Sequence, residues 1–114
     1  MGDSSSIKNK VLVIAEDVAL TEDRIYNFDT YQYKNVGIQI VWKNLTGTIN
    51  SEVDFKVSVD KIHFDEISSS VSLSGASGND CIPLESIYFP IIQVKVNKNS
   101  VTGGTISLYA CFKD

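Results

Sequence analysis

Between residues 53 and 60 the chain reads Val-Asp-Phe-Lys-Val-Ser-Val-Asp, apolar at every odd position and polar at every even one. Successive side chains of an extended strand point to opposite faces, so this run specifies a strand with one dry face and one wet face. The same period recurs along the chain. Val36, Ile38, Ile40 and Trp42 make one apolar row, Ile92, Val94 and Val96 another, and Ile106, Leu108, Ala110 and Phe112 a third. No window of a dozen residues carries a helical stripe. Shorter strands are expected at Ile7 to Ala15, Arg24 to Phe28, Ile62 to Ile67 and Val71 to Ser74.

Turn chemistry separates these runs: "TGT" around Gly47, "SGASGND" from Ser74 to Asp80, and "NSVTGGT" from Asn99 to Thr105. "DVALTEDR", Asp17 to Arg24, has room for only a helical turn or two. Seven or eight short strands with a turn every eight to twelve residues indicate an all-β antiparallel sandwich or jelly roll. The chain has 114 residues, enough for one domain with a proper core and no metal or disulfide staple. Residues 1–6, "MGDSSS", are expected to be a flexible arm on a single domain spanning 7–114.

Charge excludes one class of partner. The net charge is −4 and the ten basic residues are scattered singly, which is not a phosphate-binding surface, so direct contact with nucleic acid is not expected. The longest apolar run near the start, Val11 to Ala15, is too short for a signal segment or a membrane span. Without an export signal Cys81 and Cys111 are expected as free thiols, Cys111 as a small hydrophobe within a strand.

Chemical motifs are sparse. "VSVDKIHF" holds the single histidine, His63, flanked by Asp60 and Asp65. With Val57 and Val59 closing an inward face and Ile62 and Phe64 returning to the core, His63 points outward, away from any nucleophile. His63, Cys81 and Cys111 lack the spacing of a zinc site. Glu16, Asp17, Glu22, Asp23 and Asp80 read as solvated acidic loops with no calcium-loop spacing. "SGASG" lacks the Lys-Ser/Thr and helix of a phosphate loop. No enzymatic activity, metal or cofactor is expected.

The aromatic stretch "YNFDTYQY" carries more information. Tyr26, Phe28, Tyr31 and Tyr33, with the loop aromatics Tyr88 and Phe89, form a candidate interaction surface. Aromatics also cap cores, so Tyr26 and Phe28 fit either role.

In order, "YKNVGIQIVW", "LTGTINSEVDFKVSVDKIHFDEI", "VSLSGASG", "IYFPIIQVKV" and "TGGTISLYACFK" (residues 33–113) resemble the small β-sandwich structural proteins of tailed bacteriophages. Those proteins have an "sIQvvW" strand, a "vSnDGvnf" hairpin, a "yPyirv" strand and a Gly-rich final hairpin. The resemblance departs at the hairpin, where Asp60-Lys61 stands in place of Asp-Gly and the turn type is expected to differ. It implies a virion component made in the host cytoplasm: a capsid decoration, neck or tail-junction protein that self-associates and docks on other virion subunits. The pattern is also similar to discoidin-type carbohydrate-binding sandwiches, which implies sugar binding through Tyr31, Tyr33, Tyr88 and Phe89. Trp42, on an inward face, is not available to that role.

Overall fold

The computed structural model describes residues 10–31, 33–67, 70–85 and 89–113. The expected arm at residues 1–6 and Tyr88 lie outside them. Among the described residues nine strands run in order: β1 (Lys10–Ala19), β2 (Arg24–Asp29), β3 (Asn35–Gly47), β4 (Glu52–Ser58), β5 (Asp65–Glu66), β6 (Val71–Ser72), β7 (Gly78–Leu84), β8 (Ile91–Asn97) and β9 (Val101–Lys113). They form two antiparallel sheets, β1-β9-β3-β7 and β2-β8-β4-β5, with β6 also on β4. Both β5 and β6 pair with β4, Val57 opposite Asp65 and Val53 opposite Val71, so they are two halves of one edge strand interrupted between residues 66 and 71. Counted that way, eight strand positions are wound in the order of a jelly roll, as the alternation implies.

The apolar rows face one another between the sheets. Val36, Ile38, Ile40 and Trp42 of β3 and Ile106, Leu108, Ala110 and Phe112 of β9 are buried on one side, and Val53, Phe55 and Val57 of β4 with Ile92, Val94 and Val96 of β8 on the other. Burying side chains of this size stabilises a fold by roughly 1.5–3 kcal/mol each. The buried hydroxyls are bonded: Ser51 Oγ donates to the Lys98 carbonyl at 2.8 Å and Thr30 Oγ1 to that of Phe89 at 3.1 Å.

Several expectations are corrected. Asp17 to Ala19 do not start a helical turn; they extend β1 past an irregularity where Asp17 takes φ 48° and its N–H donates to the buried Ser107 Oγ at 2.9 Å. β9 begins at Val101, inside the segment read as a turn. β7 occupies the "GND" that the loop reading claimed and continues to Leu84. Val59 and Ile62 are exposed, at 69% and 76%, because β4 ends at Ser58 and a turn lifts both away from the core. Cys111 lies in β9 on the outward phase, so it is exposed and not packed; Cys81 is exposed too, and both are free.

Candidate functional site

The aromatic segment folds around one ring. Phe112 is fully buried, and the rings of Phe28, Tyr31 and Tyr33 stand 5.9, 5.7 and 5.8 Å from it, the first two edge-on. Such edge-to-face pairs add to the burial energy. Tyr26 is half-buried against the same core. Tyr31 sits at φ 53°, held by its N–H donating to the Asp29 carboxylate. The chain then turns back through Tyr33 N–H to the Thr30 carbonyl at 2.9 Å. Lys10 Nζ lies 3.4 Å from the Tyr31 ring centroid, a cation–π contact. Phe89 is exposed beyond Thr30.

Of the sequence-predicted surface, Tyr26, Phe28, Tyr31 and Tyr33 are therefore brought together, but largely as a cap on the core. Tyr31 and Phe89 keep substantial exposed area.

Beside this cap runs a groove of about 520 Å³ between β1 and β2, the two strands that edge their sheets on one flank. Leu12, Val13 and Ile14 form one wall; Ile25, Tyr26 and Phe28 form the other, with Tyr31 at one end. Val11 and Val13 are exposed at 68% and 55%, Ile25 at 55% and Tyr31 at 47%. Four of the seven large hydrophobic side chains exposed among the described residues thus stand on this flank. The sequence-predicted surface held the aromatics here but did not include Val11, Val13 or Ile25. Alternation identified them as strand residues, and nothing in it told that β1 and β2 lie at sheet edges. A second open depression, about 570 Å³, lies over Gly37, Pro83 and Cys111 on the outer face of the other sheet edge, rimmed by Glu85 and Lys113.

The His63 turn is a structural device. Asp60 Oδ1 accepts the N–H groups of Ile62 and His63 at 2.8 and 2.9 Å, and Oδ2 lies 2.7 Å from His63 Nδ1. Ser58 Oγ donates to the same carboxylate at 3.1 Å and accepts Lys61 N–H at 2.9 Å. In a nucleophilic triad the serine bonds the imidazole; here serine and imidazole both bond the carboxylate, and Ser58 is buried. Lys61 takes the left-handed φ of 67° that glycine would favour, while Asp60 before it does not share a positive φ. Among the described residues no three His, Cys, Asp or Glu converge to hold a metal ion.

No protein-family model and no curated protein matches the sequence. Solved structures do match the fold. The SPBc2 prophage-derived protein YomS superposes with a TM-score of 0.69 over 95% of both chains at 13% identity. CBM32-1, from a family 31 glycoside hydrolase of Clostridium perfringens, gives 0.57 over 98% of this chain and 80% of that one at 14% identity. The carbohydrate-binding module CBM29_1 of Piromyces equi gives 0.54 over 90% of each chain at 13% identity. Both resemblances, to a phage-derived protein and to carbohydrate-binding sandwiches, are thus shared folds.

Proposed function

We propose that this chain is a non-enzymatic structural protein of a tailed-bacteriophage particle, acting by self-association and docking on a capsid or head–tail junction. The observation that carries the reading is end-to-end likeness of fold to a prophage-derived protein: the superposition covers 95% of each chain. A sandwich of this size works through its faces and edges, and the exposed apolar flank suits protein contact. The test is quantitative mass spectrometry of gradient-purified particles from the strain carrying the gene. Copies in a fixed ratio to the major capsid protein are expected; a chain confined to the soluble fraction would refute the reading.

A carbohydrate-binding module is the second reading, favoured by the two sugar-module folds and by Tyr26, Asn27 and Asp29 around one groove. The Lys10 ammonium over the Tyr31 ring weighs against it, because it occupies a face on which a sugar would stack. Titration of the protein with a panel of oligosaccharides decides. Saturable binding lost in Tyr31→Ala would move the chain to this class.

A further inference from the structure

We infer that the β1–β2 flank is a two-fold interface with a second copy of this chain, the β2 edges pairing antiparallel across the axis. The inference deepens the self-association in the reading above and names its partner. Among the described residues the two sheets have four edges, and a sheet edge presents unpaired backbone groups unless something blunts it. β7 carries Pro83, which has no N–H to offer. The edge opposite β4 is broken into β5 and β6 and exposes Asp65 and Glu66. β1 is irregular between Val13 and Val18. Among the described strands only the β2 edge has no such feature, its register against β8 unbroken from Arg24–Val96 to Asp29–Ile91. The one unblunted edge adjoins the groove and the exposed Val11, Val13 and Ile25.

Charge selects a second copy as the occupant. The Lys10 end of β1 and the Asp29 end of β2 lie together, and the opposite end of the flank carries Glu16 and Asp17 on β1, Arg24 on β2 and, just before it, the exposed Glu22 and Asp23. Rotation about a two-fold axis normal to the sheets turns one flank end for end. Lys10 then approaches the acidic pair of its neighbour, and Arg24 the end that carries Asp29. β2 supplies ladder hydrogen bonds, while the irregular β1 contributes side-chain contact. Area agrees. Ten residues of β1 at about 3.3 Å each, times the molecule's smallest extent of 19 Å, give roughly 600 Å² in projection, the same order as the ~800 Å² of accessible surface that each partner buries in a standard interface.

Sedimentation equilibrium of the full chain over a wide concentration range tests this. A reversible species of twice 12.6 kDa is expected. Ile25→Lys, at an exposed position, should raise the dimer dissociation constant by about tenfold or more. Ile62→Lys, on the turn between β4 and β5, should leave it unchanged. Lys10→Glu should weaken the dimer and Lys10→Glu with Glu16→Lys restore it, a rescue that misfolding would not produce. A monomer at every concentration, or a dimer indifferent to Ile25→Lys, overturns the inference. A monomer still found in particles would leave the virion reading standing, and a dimer absent from particles would remove that reading alone.

Discussion

Asp60 holds the β4–β5 turn by accepting from two backbone N–H groups, the Ser58 hydroxyl and the His63 ring. These bonds favour its carboxylate and push its pKa well below the ordinary aspartate value of 3.8, the His63 N–H being the largest cause. Reciprocally, the hydrogen bond from His63 to Asp60, then the Coulombic attraction of Asp60 and a smaller one of Asp65, raise the histidine above 6.5. The linkage has two signs. A raised histidine contributes stability fully present below the unfolded value near 6.5 and lost as pH rises through the folded pKa. A depressed aspartate contributes stability present above 3.8 and lost as pH falls below it. The turn is therefore tightest between those two values. Both groups are exposed, so the effect is local. NMR titration of the His63 ring should give a midpoint above 6.5 that Asp60→Asn brings down. A midpoint at or below 6.5 in the parent, or one unmoved by the substitution, would show that the pair does not persist in solution.

The β3–β7 pairing rests on a missing side chain. Gly78 lies opposite Trp42, and a Cβ on it would stand 2.7 Å from the indole Cζ2. The indole lies buried against that glycine and donates Nε1–H to the Gly75 carbonyl at 3.1 Å. Gly78→Ala should push the ring outward, break that bond and cost about 1–3 kcal/mol, the usual range for overpacking. As the sole tryptophan, Trp42 reports the change itself: its emission should shift to the red and the urea midpoint should fall. An unshifted emission with an unchanged midpoint would mean that the indole moves at no cost. The same pairing explains where sequence reading worked and where it stopped. β3, β4, β8 and β9 were legible because each buries three or more alternate apolar residues against the opposite sheet. β7 was not: it buries only Leu84 fully and contains Gly78 and Pro83, the marks of a turn as well as of an edge strand. β1 was legible up to Ala15, but the irregularity that carries Asp17 breaks the period-two signal beyond it. The candidate surface divides likewise. The aromatics from Tyr26 to Tyr33 were visible as a group, whereas the convergence of Phe28, Tyr31 and Tyr33 on Phe112 depends on β9 returning beside β1.

Among all adjacent strand pairs, only β4 and β5 are joined by a short turn between consecutive strands. β1 waits for β9, β2 for β8, and β3 for both β7 and β9. Each sheet must therefore close long loops before its ladders form, and that loop entropy comes before any burial offsets it. The core has the same dependence. Phe112, under the aromatic cap, comes from the last strand, while Phe28, Tyr31 and Tyr33 come from the first third of the chain. A chain built this way should fold in milliseconds to seconds, in the range of all-β sandwiches and far from the microseconds of helical bundles. Stopped-flow urea dilution followed by Trp42 emission should show relaxation on that scale, with Phe112→Ala losing about 3–5 kcal/mol of equilibrium stability. Because β9 docks between β1 and β3, that variant separates two routes to the native state. If β9 is already in place at the barrier, Phe112→Ala slows folding; if it docks afterwards, the variant chiefly speeds unfolding. Submillisecond relaxation would contradict the topological argument, since no local hairpin in this order is large enough to carry the fold alone.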